Sequence, residues 1–319
     1  MKNLEIINFL YLIYKIRFVE EKIQIEYPKQ NIRCPVHLSI GQEAVAAAVS
    51  LSINKLDSVI SFHRSHAHYI AKGGSIYRLF AEILGKKDGC SEGNGGSMHL
   101  TDISKNFIAS TAIVSNSIPV GLGFAFSLKL SSQKNKVIIY IGDASIEEGV
   151  FFESLNFAVL KRIPVIFICE NNDYSVYTHI NKRQPGFRKI YKLAERIGSE
   201  SYLIKDHQPS KILYKTKKII RSAKNNFPTF IEYKTNRLIE HCGVNNDDYL
   251  NYRNTEDLKI LKRRDPLVIL EKEILRKKIL PENFINKKKN EIKNRINLLY
   301  ELANEARPQN YKNFLKKYK

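Results

Sequence analysis

The chain has 319 residues, 43% of them hydrophobic and 26% charged, which supplies one large core or two smaller ones and excludes disorder for most of its length. No apolar stretch approaches the roughly 18 residues of a membrane span, and the four cysteines, Cys34, Cys90, Cys169 and Cys242, lack the CxxC spacing of a zinc cage and any disulfide framework. The 52 Lys and Arg against 32 Asp and Glu give a net charge of +20, which admits a polyanionic partner.

Residues 3–26 carry apolar residues at helical spacing, with Glu5 ahead of the stretch and Lys15 and Arg17 behind it, and no small-residue cleavage site follows. This reads as an amphipathic helix rather than a secretion signal, so the cytoplasm is the expected location. Gly41 to Leu51 continue as an alanine-rich helix. Asp57 to Phe62 read as a short strand, followed by the polar run FHRSHAHYIAKGG, a helix from Ser75 to Leu84, and the glycine-rich loop GCSEGNGGSMHLTD. A loop this long and glycine-rich usually carries function.

The middle of the chain is clearer. KVIIYIGD is a buried-strand run, IEEGVFFESLNFAVL has helical period, and PVIFICENN is a second buried strand, which together make a βαβ unit with parallel strands. A helix at Phe187 to Ile197, a strand at Ser201 to Ile204, a helix at Ser210 to Ala223 and the strand PTFIEYKT extend the alternation. The expected fold is α/β, a doubly wound, mostly parallel sheet over residues 1–255, with a basic helical tail at 256–319. From Leu258 to Lys319 there are 18 Lys and Arg against 7 Asp and Glu, a net +11 and just over half of the total excess. That tail reads as a solvated helical face. Nucleic-acid binding is the other reading, but no aromatic stacking pattern accompanies the charge.

Ligands of open α/β sheets bind beyond the carboxyl ends of the strands. The two best strands end in Gly142-Asp143-Ala144-Ser145 and Glu170-Asn171-Asn172-Asp173-Tyr174. A carboxylate, an amide oxygen and backbone carbonyls there form a hard oxygen set suited to Mg²⁺. A helix starting at about Ser145 would present free N–H groups to phosphate oxygens. The same residues also fit a plainer reading, in which Asp143 caps the helix and the Asn pair makes a turn.

The GD and NN pairs at this spacing, with EGVFFESLNFAVLKRIPVIFICENN between them, resemble the thiamine-diphosphate signature of 2-oxoacid dehydrogenase alpha subunits. The likeness extends in order through VHLSIGQEA, HRSHAHYIAKGG, GNGGSMHL, KNF and AIVSNSIPVGLG upstream, and RLIEHCG, YRNTEDL and KRRDPL downstream, over roughly residues 30 to 270.

The resemblance implies thiamine diphosphate and Mg²⁺ as cofactors, with Mg²⁺ held by the Asp143 carboxylate, the Asn172 side chain and the Tyr174 carbonyl. Diphosphate oxygens would meet His63, Arg64, Arg237, His241 and the backbone of Gly142, Ala144 and Ser145, where arginine forks suit phosphate. The backbone at Ala112 and Val114 would hold the aminopyrimidine edge, with Ser104 at another cofactor contact. His37 and His241 are the expected catalytic histidines, His37 at the position that meets the 2-oxoacid. His66 and His68 read as internally hydrogen-bonded, His99 is left open, and Glu147, Glu148 and Glu153 read as structural carboxylates of a first helical turn. The chain departs from the family pattern where Ala144 and Ser115 replace glycines, His63 a tyrosine, and Glu240 and Cys242 the glycine and serine flanking the histidine.

The family's catalytic glutamate comes from a separate beta subunit. The expectation is therefore an alpha subunit that is inactive alone, works as two alpha and two beta chains, decarboxylates a small 2-oxoacid, and passes the acyl unit to the lipoyl group of an acyltransferase. A transketolase-like transfer of a two-carbon unit to an aldehyde or sugar uses the same cofactor chemistry and is the second reading. A basic nucleic-acid-binding protein is the third.

Overall fold

The computed structural model of the chain describes residues 2–310; the remainder of the expected tail, 311–319, lies outside the described residues. The first expected helix is α1 (Asn3–Glu26), and the alanine-rich segment is α2 (Glu43–Ser50). β1 (Ser58–Ser61) leads into α3 (His66–Ala71), which lies within the polar run, and then α4 (Ile76–Ile83). β2 (Phe107–Ser110) and α5 (Ser117–Leu130) come next, two elements absent from the sequence-based expectation. The expected βαβ unit is β3 (Val137–Gly142), α6 (Gly149–Leu160) and β4 (Val165–Asn171).

Beyond it lie a small antiparallel ribbon, β5 (Tyr174–Ser175) with β6 (Thr178–His179), and the single turn α7 (Ile180–Arg183). Then come α8 (Ile190–Ile197), β7 (Glu200–Ile204), α9 (Pro209–Ser222) and β8 (Thr229–Lys234), each within three residues of its expected bounds. The tail folds as α10 (Thr255–Arg263), α11 (Pro266–Arg276) and α12 (Glu282–Glu305).

One local expectation is corrected. The α-helix after β3 does not start at about Ser145: Asp143–Glu147 form a tight 3-10 turn, Glu148 is extended, and α6 begins at Gly149. The extra residues carry the chain away from the strand end before Phe151, Leu155 and Ala158 settle on the sheet. Any N–H groups offered to a ligand there belong to the 3-10 turn.

The six-stranded sheet is parallel throughout, in the order β2-β1-β3-β4-β8-β7. Strand alternation divides its side chains between two cores. Ile138 and Tyr140 of β3 and Ile166 and Ile168 of β4 face the core built with α1, α2, α4 and α12, whereas Ile139, Ile141, Phe167 and Cys169 face the core under α5, α6 and α8. Burial on both faces explains why these strands read as unbroken apolar runs.

The tail returns to the N-terminal helix. Ile285, Ile296, Tyr300 and Ala303 of α12 join the core of Phe9, Ile13 and Ile16. Lys288, Lys289 and Lys293 lie over the rings of Tyr11, Tyr14 and Phe18 at 5.5, 5.7 and 4.7 Å, and Lys289 also pairs with Glu271 at 2.7 Å. Part of the tail's positive charge is thus engaged within the chain. No helix among the described residues is long and apolar enough to cross a membrane.

Candidate active site

The carboxyl ends of four adjacent strands, β1, β3, β4 and β8, deliver His63-Arg64, Gly142-Asp143, Asn171-Asn172 and Arg237 to the same edge of the sheet, because Gly142 registers with Glu170 and Asn171 with Lys234. They open onto a cleft of about 180 Å³ lined by His37, His63, Arg64, Ala112, Val114, Gly142, Asp143, Ala144, Ser145, Asn172, Tyr174 and His241. Arg237 is buried behind the cleft wall formed by Val176.

Ser104 is the exception. It sits on the turn before β2, at the amino end of a parallel strand and so on the far side of the sheet, where its hydroxyl donates to Asp102 Oδ1 at 2.6 Å. The structure does not bring it to the cleft.

At the oxygen-rich end, Asp143 is almost wholly buried, and burial pushes its carboxyl up to about 6 against the pull of Arg183. Arg183 Nη2 donates to Asp143 Oδ2 at 2.5 Å, while Nη1 pairs with Glu147. Gln184 Nε2 also donates to Glu147, at 2.8 Å. Glu147 therefore tethers the 183–184 segment rather than merely complementing a helix dipole. Asn172 Oδ1 accepts from the Tyr174 N–H at 3.1 Å, and its Nδ2 donates to Gln42 Oε1 at 3.1 Å. Asp143, Asn172 and Tyr174 offer a carboxylate, an amide oxygen and a carbonyl, the donor set of a hard divalent cation.

The opposite end is cationic. Arg64 Nη1 donates to the Leu38 carbonyl at 2.6 Å and Nη2 to that of His241 at 3.1 Å; burial and then Arg237 lower its guanidinium to about 10. Arg237 Nη2 donates to the Val176 carbonyl and the Tyr252 hydroxyl, both at 2.8 Å, yet its Nε and Nη1 are buried with no partner. Gln42 Nε2 and His37 Nδ1 are buried and unpartnered as well. Unsatisfied buried polar atoms on a cationic wall fit an anionic ligand.

His37, His63 and His241 meet ring against ring, with centroids 4.6 to 5.3 Å apart. Burial, reinforced by Arg64, pushes His37 and His63 down to about 2 and His241 to about 3, so all three are neutral. His66 and His68 are internal, as expected: His66 lies between Glu20 (2.9 Å) and Ser97 (2.8 Å), and His68 between Ser61 (2.8 Å) and Glu170 (3.2 Å). His99 is exposed, with Nδ1 3.2 Å from the Gly95 carbonyl.

Several quoted motifs prove to be supports. Gly41 has φ +96°, and a Cβ there would lie 2.3 Å from the Asn236 carbonyl, so only glycine lets the chain cross at this point. The next residues hold Glu43, whose carboxylate accepts from Gly41 N–H at 3.0 Å and Arg17 Nε at 2.5 Å. Arg17 in turn forms a fork with Asp265 at 2.9 Å on both arms, which ties the RDP stretch to the loop carrying His37 and Gln42. Arg253 of the YR pair donates to the Arg237 carbonyl at 2.8 Å and pairs with buried Asp247, fixing Arg237 from behind.

Ser115 has φ +64°, the left-handed conformation that favours the family's glycine, and its hydroxyl donates to the Ser145 carbonyl at 2.9 Å. Ala144 has no positive φ and substitutes for glycine without strain. Sequence reasoning named Glu170 only as part of a strand exit, and missed Gln42 and Arg183. Gln42 lay within a quoted motif, whereas nothing in the sequence marks Arg183.

A profile described as dehydrogenase E1 component matches residues 13–312. The chain belongs to that family; it is an alpha-type subunit of the 2-oxoacid dehydrogenase first component, an oxidoreductase class. It is 36% identical over 267 residues to the pyruvate dehydrogenase E1 component subunit alpha of Rickettsia felis, covering 84% of this chain and 81% of that one, and 34% identical to the Rickettsia typhi protein over the same shares. It is also 38% identical over 182 residues to the mitochondrial pyruvate dehydrogenase E1 alpha subunit of Dictyostelium discoideum, covering 57% of this chain and 48% of that one.

Proposed function

We infer that the chain is the cofactor-binding half of a cytoplasmic, pyruvate-type 2-oxoacid dehydrogenase first component, holding Mg²⁺ and thiamine diphosphate in the cleft and completed by a beta subunit in a two-plus-two assembly. The observation that carries this reading is the pairing of an oxygen-donor end at Asp143, Asn172 and Tyr174 with a cationic end at Arg64, where Gln42 Nε2 and His37 Nδ1 in the cleft lining lack partners. A metal-bound diphosphate satisfies both ends at once. The relatives' names favour pyruvate as the 2-oxoacid.

When bound, thiamine diphosphate supplies a carbon nucleophile that accepts the electrons released by decarboxylation. Asp143, Asn172 and the Tyr174 carbonyl hold the metal. Arg64, Arg237, His63 and the Gly142 to Ser145 backbone take the diphosphate oxygens, and the backbone at Ala112 and Val114 orients the ring end. His37 and His241, kept neutral, donate N–H groups to the substrate carboxylate, and the arriving anion restores their capacity to take a proton.

The beta subunit has a surface to meet. α5 is apolar over most of its surface, with Ser127 and Lys129 the polar exceptions near its end, and Ile113, Val114, Val120 and Leu130 on or beside it are 66, 48, 47 and 70% exposed, with Leu160 of α6 71% exposed. Such a face beside a cleft mouth suits a subunit interface. The catalytic glutamate and the contact to a lipoyl acyltransferase are assigned to the assembled pair.

The test is reconstitution. The alpha chain alone should neither decarboxylate pyruvate nor reduce a lipoylated acceptor domain, and addition of the beta chain with Mg²⁺ and thiamine diphosphate should confer both activities. Asp143→Ala and Asn172→Ala should abolish magnesium-linked cofactor uptake in calorimetry. Activity of the alpha chain alone, or turnover with an aldehyde acceptor and none with lipoyl protein, overturns the assignment.

A further inference from the structure

We propose that the segment following α12 is a clasp on the glycine-rich loop, and that through it Lys86 and Gln309 are positioning residues for the cleft; the second half of this statement rests on the cofactor reading above. α12 ends at Glu305, and the chain then runs antiparallel to residues 85–87. Lys87 N–H donates to the Arg307 carbonyl and Gln309 N–H to the Gly85 carbonyl, both at 3.0 Å, with Lys86 opposite Pro308 between them. Gln309 Nε2 reaches on to the Glu92 carbonyl at 2.7 Å, and Lys86 Nζ donates to the Asn304 carbonyl in the last turn of α12 at 2.7 Å.

These bonds stand over open space instead of a packed core. A cavity of about 590 Å³ lies between the segment and the loop, with Gly85, Lys86, Gly93, Asn304, Pro308 and Gln309 in its wall. The joint is therefore held by directed hydrogen bonds that single substitutions remove. Across it, Gly93 has φ +76°, and a Cβ there would lie 2.5 Å from the Lys86 carbonyl, so a displaced 85–87 segment has to carry the loop with it.

The far side of the loop reaches the cleft. Ser97 Oγ lies 2.8 Å from His66 Nε2, and the Ser97 carbonyl accepts from Ser65 Oγ at 3.2 Å. Ser65 and His66 directly follow Arg64, at the cationic end, and Met98 lines the cleft itself. The Met98 carbonyl accepts from Ser110 Oγ at 2.9 Å, two residues before Ala112. The clasp is thus joined through the loop to the segments that carry Arg64 and Ala112. Lys86 and Gln309 lie outside the cleft lining, so any effect of their loss on the cofactor passes through the loop.

The experiment reads the loop and the cleft separately. Gln309→Pro removes the backbone donor and the side-chain donor together, and Lys86→Met removes the ammonium. In the full-length chain without cofactor, amide hydrogen exchange should accelerate across residues 91–99 in each variant and stay unchanged in α6. In the reconstituted alpha–beta pair with Mg²⁺, calorimetry well below the melting point of either variant should show thiamine diphosphate bound about three- to tenfold more weakly. Lys192→Ala, an exposed substitution on α8, should leave both readouts unchanged. Ser97→Ala combined with Gln309→Pro should lose less affinity than the product of the two single losses, because both act along one path. Faster exchange confined to residues 306–310, unaltered affinity in both clasp variants, or fully multiplicative losses overturn the proposal. An unaltered pair that takes up no thiamine diphosphate would count against the cofactor reading alone, since the exchange measurement still decides the clasp.

Discussion

Arg183 Nη2 lies 2.5 Å from Asp143 Oδ2, so a guanidinium sits on the carboxylate that the proposed function assigns to the metal. It also pairs with Glu147, and its side chain is only 10% exposed. Arg183 is thus the counter-ion of the Asp143 carboxylate, and under the proposed function it competes with the metal for that oxygen.

Replacing Arg183 with alanine removes that competitor. Calorimetry on Arg183→Ala should show magnesium-linked thiamine diphosphate binding tightened by roughly tenfold, while the cofactor-free chain loses about 1–3 kcal/mol because Asp143 is left buried and unpaired. Weaker cofactor binding would mean that the guanidinium moves with the diphosphate instead of leaving.

The glycine-rich loop folds around one carboxylate. Glu82, 1% exposed, accepts the backbone N–H groups of Ser91 (2.6 Å), Gly93 (2.9 Å), Gly95 (2.6 Å) and Gly96 (3.1 Å). Glu82→Gln turns an amide NH₂ toward two of these donors and removes the charge that strengthens all four, at a cost of about 2–4 kcal/mol. Urea unfolding should show the loss, and proteolysis within residues 91–99 should accelerate; an unchanged midpoint would show that the loop does not depend on this carboxylate.

The chain Glu43, Arg17, Asp265 spans the N-terminal helix, the loop before α2 and the start of α11. Glu43 is fully buried and its carboxyl is raised by burial against the opposing pull of Arg17. Arg17→Met strands that carboxylate and should cost about 3–5 kcal/mol near neutral pH. Below the raised carboxyl value the glutamate takes a proton and the penalty shrinks, so the variant should regain relative stability in acid.

The neutral histidine trio gives the fold an acid sensitivity. Unfolded imidazoles take protons below about pH 6.5, whereas His37 and His63 in the fold do so only near 2 and His241 near 3. Their contribution is fully present above 6.5 and declines as pH falls, by about 1.4 kcal/mol per pH unit for each histidine. His63→Tyr should flatten the stability profile between pH 6 and 4 by roughly one such increment; an unchanged slope in this variant would place a charged His63 in the native cleft.

The βαβ centre was legible because β3 and β4 are buried on both faces and α6 has helical period. Two helices escaped for opposite reasons. α3 looks polar, yet His66 and His68 are buried and satisfied by Glu20, Ser97, Ser61 and Glu170. α5 is apolar on nearly every side until Ser127 and Lys129 and contains Pro119, Gly121 and Gly123, so it offers no periodic stripe. β2 pairs over only four residues, too short to stand out from its loop.

The cleft was legible through strand exits and ordered motifs, except where tertiary folding decided. Ser104 lies at the wrong end of β2, and Arg183 arrives from a turn whose sequence carries no signal. The family resemblance identified the quoted stretches without revealing which are supports, so the roles of Glu43, Asp265 and Arg253 emerged only from their ion pairs.

The greasy flank of α5 and α6 carries a cost in water. If the proposed beta subunit covers this flank, a chain made without it keeps an adhesive surface in water and should aggregate more readily than the assembled pair.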